Sequence, residues 1–248
     1  LLEARAVTVR FGGVLAIDSI SFDVEAGQIF GVIGPNGAGK TTLLNAISSV
    51  YKLDAGHLKF DDRDVTNTAS HRLSRLGVAR TFQIVQPFNH MTVRENVAVG
   101  AMYGHAQLRQ RGEYLDAADE ALLRTGLMAK AQFMPPHLTL SDRKRLEVAR
   151  ALAMKPRLLL LDEVMAGLNL TEIERTIELV REINATGITV IVIEHVMKAV
   201  LALCDRAMVL NFGRKLTEGK PHDVINESAV VEAYLGTRFA KSRAGSAA

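Results

Sequence analysis

The order of apolar and polar positions along the chain separates strand-like from helix-like stretches. Glu3 to Phe11 carries apolar residues at Ala4, Ala6-Val7, Val9 and Phe11, an alternation that predicts a half-buried strand ending at Gly12-Gly13. Ile20 to Val24 alternates again and closes on Glu25-Ala26-Gly27. Ile29-Phe30-Gly31-Val32-Ile33 is apolar almost throughout, as a strand buried on both faces requires, and Leu43-Leu44-Asn45-Ala46-Ile47 beyond it reads as a helix. Tyr51 to Gly56 predicts a turn, His57 to Phe60 a short strand, Thr68 to Arg75 a short helix, and Gly77 to Phe82 another strand.

From Ile84 to about Ala153 the pattern is helical. Thr92 predicts the cap of a helix through Met102, with Glu95 completing a capping box. Tyr114 to Thr125 has Leu115, Ala118, Leu122 and Leu123 at helical spacing; Pro135-Pro136 interrupts, and a further helix is expected over Asp142 to Met154. Leu158 to Leu161 then predicts a fully buried strand. Thr171 and Glu174 predict a second capping box opening a helix whose buried stripe is Ile173, Ile177, Val180 and Ile183. Ile188 to Ile193 reads as a buried strand, Arg206 to Asn211 and Lys215 to Glu218 as closing strands around Gly213, and Tyr234-Leu235-Gly236 as the end of a last helix.

Between the third predicted strand and the first helix lies Gly34-Pro35-Asn36-Gly37-Ala38-Gly39-Lys40-Thr41-Thr42, which matches the phosphate-loop pattern G-x-x-x-x-G-K-[ST]. Gly34, Gly37 and Gly39 allow backbone conformations in which successive N–H groups converge on phosphate oxygens. The helix that follows adds the positive end of its dipole. Lys40 is then placed for the β- and γ-phosphates and the Thr41 hydroxyl for Mg²⁺. Asp162-Glu163 ends the Leu158 to Leu161 strand, where open parallel sheets bind ligands. Asp162 suits the metal shell there, and Glu163 suits polarising a water for in-line attack. Gln83, at a strand end, has an amide able to meet both metal and water. Phe11 is open to two readings, an adenine-stacking ring or an ordinary core or surface aromatic. His195, after the Ile188 to Ile193 strand, is likewise either structural or a γ-phosphate contact.

A chain of 248 residues accommodates one large α/β unit with an insertion. The net charge of +3 lacks the clustered basic stripe of a nucleic-acid binder and is compatible with work beside an anionic membrane. The single cysteine, Cys204, has no internal disulfide partner and sits among Leu201, Ala202 and Leu203, which favours a small core residue over a reactive thiol. No apolar run approaches the roughly 18 residues that cross a bilayer, and no signal peptide is visible.

The ordered set Phe11, phosphate loop, Gln83, Leu138 to Arg145, Leu158 to Glu163 and His195 resembles the ATP-binding cassette ATPases over nearly the whole chain. The wording of Gly77 to Gln83, Met91 to Asn96 and Glu163 to Asn169 is similar to the ATPase subunits of branched-chain amino-acid importers. The resemblance implies an α/β fold: a RecA-like P-loop core with an N-terminal antiparallel β subdomain (1–83 and 155–237 together) and an inserted α-helical subdomain (84–154). A tail, 238–248, is expected to be disordered. It also implies ATP and Mg²⁺ as cofactors, with Thr41, Gln83 and Asp162 as metal residues. Glu163 would be the general base, with Lys40, Gln83 and His195 completing the catalytic set, and Phe11, Gly34 to Thr42, Thr139 and Ser141 would contact nucleotide. Its partners would be a second cassette facing head to tail, permease subunits docking near Gln83 to Glu95, and indirectly a substrate-binding protein, at the cytoplasmic face of the plasma membrane. No nucleic acid is expected.

One segment departs from the family. In place of L-S-G-G-Q stands Leu138-Thr139-Leu140-Ser141-Asp142, so both glycines are lost and a carboxylate replaces a glutamine. Asn169 replaces the usual Asp of the later loop. A carboxylate there is expected to repel triphosphate, by about 1 kcal/mol if solvated and more if dry, which suggests an asymmetric heterodimer. The alternative is that Ser141 and Asp142 cap the helix beginning there. Two other function classes fit less well. A soluble cassette of DNA repair or translation would be expected to show long coiled coils, zinc-binding cysteines or two fused cassettes, where this chain has one cysteine, no sustained heptads and a single phosphate loop. An unrelated phosphate-loop kinase or GTPase leaves Leu138 to Glu163 unexplained.

Overall fold

The computed structural model describes Leu1 to Leu235; the expected tail, 238–248, lies outside the described residues. The elements run β1 (Leu2–Phe11), β2 (Val14–Val24), β3 (Ile29–Ile33), α1 (Lys40–Ile47), β4 (Ala55–Phe60), β5 (Arg63–Asp64), α2 (Ser70–Leu76), β6 (Val78–Arg80), α3 (Val93–Tyr103), α4 (Arg111–Arg124), α5 (Leu140–Ala153), β7 (Leu158–Asp162), α6 (Leu170–Ala185), β8 (Thr189–Ile193), α7 (Met197–Leu203), β9 (Arg206–Asn211), β10 (Arg214–Gly219), α8 (Pro221–Val224) and α9 (Ser228–Leu235). They fall into two units, one formed by Leu1–Asn67 with the chain from Val192, the other by Thr68–Ile191. The α/β class and the N-terminal antiparallel sheet are as the sequence led one to expect.

In the first unit, β1 is the centre of an antiparallel sheet ordered β2-β1-β4-β5. It buries Ala4, Val7 and Val9, a register shift between Ala4 and Val7 breaking the expected alternation and leaving Ala6 exposed at φ +48°, while β2 buries Ile17, Ile20, Phe22 and Val24 on its side of the pairing. β3 pairs in parallel with β9, which pairs antiparallel with β10. All five residues of β3 are buried, the signature of a strand covered on both faces. Gly31 in β3 is required by packing, since a Cβ there would stand 2.8 Å from the Cys204 sulfur. Cys204 is buried, and its thiol is pushed up to about 12 by burial and by the nearby Asp205 and Glu194 carboxylates. It is therefore a core residue, as its leucine-rich surroundings suggest. The sequence pattern did not announce α7, the helix that carries those neighbours.

In the second unit, β6 runs parallel to β7, with Val78, Ala79 and Arg80 opposite Leu158, Leu159 and Leu160. Helices α3, α4 and α5 pack on one another, and Arg94 on α3 forks onto the Asp119 carboxylate of α4 at 2.6 and 2.5 Å. The capping box expected at Thr92 and Glu95 is present at the start of α3. That expected at Thr171 and Glu174 is not. The cap of α6 is Asn169, which accepts from the Glu172 amide at 3.0 Å, and Glu172 reaches back to the Asn169 amide at 3.0 Å. Asn169 wins because it stands two residues earlier with its own acid three residues on, and asparagine caps at least as well as threonine. The stripe Ile173, Ile177, Val180 and Ile183 is buried as predicted, each side chain contributing roughly 1.5 to 3 kcal/mol.

Candidate functional site

The first unit holds the phosphate loop, between a buried strand and a helix as the pattern requires. Gly34, Gly37 and Gly39 have φ of 150, 79 and 101°. At Gly34 and Gly39 the need for glycine is double. A Cβ would fall 2.2 Å from the Leu210 carbonyl oxygen in the first case and 2.8 Å from that of Ala16 in the second. Helix α1 has Gly39 as its N-cap, no side chain bonded to its first amides and no acid in its first turn. Donors and positive dipole end are thereby left for an anion. Lys40, only 6% exposed, arcs over the loop and donates from Nζ to the Gly34 and Pro35 carbonyls at 2.8 and 3.0 Å. Pro35, Asn36 and Ala38 complete the turn, Ala38 donating to the Pro35 carbonyl at 3.2 Å, and Thr41 and Thr42 lie half-buried on the first helical turn.

Phe11 ends β1 with its ring largely exposed, and the Tyr51 ring meets it edge-on at 5.0 Å and 79°. Such a T-shaped pair fixes one ring and leaves a face for stacking. No sequence pattern links Tyr51 to Phe11, which lies 40 residues before it. His195 also belongs to this unit, exposed, immediately after the buried Glu194.

The second unit brings together Gln83, Asp162 and Glu163. Gln83 Nε2 donates to the Glu163 carboxylate at 2.9 Å, and both residues line one small cavity with Thr81, Lys144, Glu147 and Asp162. Asp162 is 1% exposed at the end of β7. Its amide donates to Thr81 Oγ1 at 3.1 Å, and its carboxylate lies 3.5 Å from the Arg80 guanidinium. Arg80 in turn sits over the Phe82 ring, 4.5 Å from its centre. Neither of these two Arg80 contacts was legible in the sequence, where Arg80 is one residue of a short strand. Glu163 adopts φ +50°, a left-handed conformation costing roughly 1 to 2 kcal/mol for a residue with a Cβ. Glu147, on α5, is buried, which raises its pKa; the Arg150 charge and hydrogen bond at 2.6 Å and the Phe82 amide oppose that rise.

For Mg²⁺, the donors in question are the Thr41 hydroxyl in the first unit and the Gln83 amide and Asp162 carboxylate in the second. Each offers the hard oxygen that Mg²⁺ takes, and within the second unit the buried Asp162 carboxylate already faces a cation, as a metal-holding carboxylate would.

Thr139 to Asp142 turns out differently from expectation. Thr139, not Ser141 or Asp142, caps α5: its hydroxyl oxygen accepts from the Asp142 amide at 3.2 Å and donates to Asp142 Oδ2 at 2.9 Å. Asp142 is 2% exposed and pairs with Lys130 and, at 3.1 Å, with Arg145. Burial pushes the Asp142 pKa up, but hydrogen bonds from Lys130 and Thr139 and the charges of Lys130 and Arg145 outweigh it, leaving the pKa below its ordinary value. The carboxylate expected to repel triphosphate therefore carries its own counter-charges. The charge is buried and neutralised by two cations. Ser141 is buried too, whereas Leu140 is exposed.

Comparison with known proteins agrees with this geometry. The ABC transporter family model matches residues 17–166. The high-affinity branched-chain amino acid transport ATP-binding protein LivG of Salmonella typhimurium is 38% identical over 249 residues, covering 95% of this chain and 98% of its own. The probable LivG of Archaeoglobus fulgidus is 34% identical and covers 99% of each chain. Among solved structures, the ADP conformation of MJ1267, an ATP-binding cassette of an ABC transporter, superposes with a TM-score of 0.87 at 31% identity, covering 95% of this chain and 98% of that one. The chain belongs to the ATP-binding cassette ATPases of the ABC transporter family.

Proposed function

We propose, from that membership, that this ATPase powers an importer of branched-chain or related amino acids. The observation that carries the reading is 34 to 38% identity to LivG proteins over nearly the full length of both chains, in a chain that holds Lys40, Asp162 and Glu163. A DNA-repair or translation role has no support among these relatives.

In this reading the Phe11 ring stacks on adenine, and the amides of Gly34 to Thr42 receive the phosphates. Lys40 exchanges the Gly34 and Pro35 carbonyls for β- and γ-phosphate oxygens, a trade of neutral for charge-assisted bonds. Thr41, Gln83 and Asp162 would hold Mg²⁺, which supplies charge neutralisation on the β- and γ-oxygens. Glu163 takes the proton of a water whose oxygen forms the new bond to the γ-phosphorus. The bond from that phosphorus to the bridging oxygen breaks, and ADP leaves with that oxygen. Gln83, already bonded to Glu163, holds the base and water in line. His195 contacts the γ-phosphate and registers its loss.

The partners proposed are a second cassette, membrane permease subunits and, through them, a substrate-binding protein, at the cytoplasmic face of the plasma membrane. Exposed Phe82, Ile84 and Phe88 in the segment Gln83 to Glu95 and beside it support permease docking there. A heterodimer is favoured because Leu140 and Ser141 put side chains where glycines usually admit a phosphate to the backbone. The test is the solution mass of Glu163→Gln with and without Mg-ATP, by light scattering. A monomer that binds ATP supports an obligatory partner; an ATP-dependent homodimer overturns the asymmetric arrangement. A variant with undiminished hydrolysis overturns the role of Glu163.

A further inference from the structure

Lys144 lies on the second turn of α5, five residues beyond the Thr139 cap, and its ammonium reaches the other side of the small cavity. There Nζ donates to the main-chain carbonyl of Glu163 at 2.8 Å. That carbonyl also accepts from the Ala166 amide at 3.2 Å, so two donors converge on the peptide group that follows the left-handed Glu163. At its other end, Glu163 is held by Gln83 through the carboxylate. The general base is thus fixed twice, by an amide from the loop after β6 and by a cation from the helix that begins at Thr139.

We propose that Lys144 is a positioning residue for hydrolysis: it holds the Glu163 backbone in its left-handed turn, so that the carboxylate points where water must be deprotonated. The proposal rests on Glu163 being the base. A carboxylate on a residue with positive φ projects in a direction that relaxation of the backbone would lose, because the extended or right-handed alternatives are intrinsically preferred. Charge also matters. An ammonium against a carbonyl makes a stronger bond than a neutral donor, and Lys144 lines the same small cavity as the two acids at the end of β7. Because Lys144 shares a helix with Thr139 to Asp142, whatever engages that helix start is joined through little more than one helical turn to the attitude of the base.

The experiment compares Lys144→Ala, Lys144→Met, Lys144→Arg and Glu163→Gln in the transport complex, recovered from membranes through a tag on this chain. For Lys144→Ala and Lys144→Met, kcat is expected to fall about 10- to 100-fold, the scale of a misplaced catalytic group, with the KM for ATP unchanged within about twofold. Lys144→Arg, which keeps the charge and the donors, should restore kcat to within about threefold. Combined with Glu163→Gln, Lys144→Ala should cost nothing further, since both act on one group. On the isolated full chain, hydrogen exchange over Glu163 to Leu168 should quicken in Lys144→Ala and not in Lys144→Arg, with α5 still protected. Wild-type kcat in Lys144→Ala, or a loss that Arg fails to rescue and that tracks a lowered melting temperature, overturns the proposal. If Glu163→Gln itself turns over normally, the reading of Glu163 falls first; a dead Glu163→Gln beside an active Lys144→Ala removes only the role of Lys144.

Discussion

Two helix starts in this molecule, those of α1 and α5, show opposite ways of treating the same unsatisfied amides. Helix α1 begins at Gly39, with no capping side chain and no acid in its first turn. Helix α5 begins at Thr139, whose hydroxyl takes the Asp142 amide, while the Asp142 carboxylate sits in the first turn against Lys130 and Arg145. The first offers its dipole and first-turn amides without a side-chain cap; the second caps the Asp142 amide and sets a carboxylate against the dipole from within the chain. Glycine therefore marks the helix start without a side-chain cap, and a T-x-x-D cap the start that is closed on itself. This gives a physical basis for proposing one strong and one weak nucleotide-binding half on this chain.

The difference can be broken most severely at Lys40. Lys40→Ala should weaken ATP binding by about 100-fold, near 3 kcal/mol for a desolvated charge-assisted contact, as read by titration with a fluorescent ATP analogue. Rebuilding the second start in the image of the first is the next largest change. Leu140→Gly, Ser141→Gly and Asp142→Gln together should lower the protein concentration at which Glu163→Gln dimerises with ATP by about tenfold, or 1.4 kcal/mol, measured by light scattering. No change would show that the cap does not limit closure.

Removing the charge alone tests whether Asp142 is a structural clamp. Asp142→Asn should cost about 1 to 2 kcal/mol at neutral pH, less than a fully buried pair because Lys130 and Arg145 are partly solvated. The sign follows from the lowered pKa. Stabilisation by Asp142 is complete above its ordinary value near 4 and is lost as pH falls through the lower folded-state value. Melting curves from neutral pH down to about pH 3 should thus converge for wild type and Asp142→Asn, and a constant gap would exclude the clamp. Smallest is Thr139→Ala, about 1 kcal/mol for a lost cap and roughly 2 to 4 °C in Tm for a chain of this size, with Thr139→Ser close to wild type.

The α1 start was legible in the sequence because everything that makes it, β3, the glycines and Lys40, is contiguous. The acids Asp162 and Glu163 were legible for the same reason, at the end of an all-leucine strand. The α5 start was misjudged because half of its chemistry comes from elsewhere. Arg145 was visible at i+3 from Asp142, a spacing that predicts contact. Lys130, by contrast, arrives from the short turn Met128–Lys130, twelve residues upstream, which no periodicity announces. Arg80 beside Asp162, Tyr51 against Phe11 and Lys144 on the Glu163 carbonyl are likewise contacts between separated segments. They depend on register and side-chain reach, and the apolar pattern encodes neither. Asn169 is the exception, since Asn169 and Glu172 formed a readable box that overlapped the one at Thr171.

Cys204 has a practical consequence. It is the sole thiol in 248 residues, packed against the glycine of β3, and its proton is held so firmly that almost no thiolate exists near neutral pH. A thiol-specific dye added to the folded chain therefore reacts only when β3 and the segment carrying Cys204 separate. The labelling rate then reads the opening of the strand that feeds the phosphate loop, and nucleotide that tightens that loop should slow the clock.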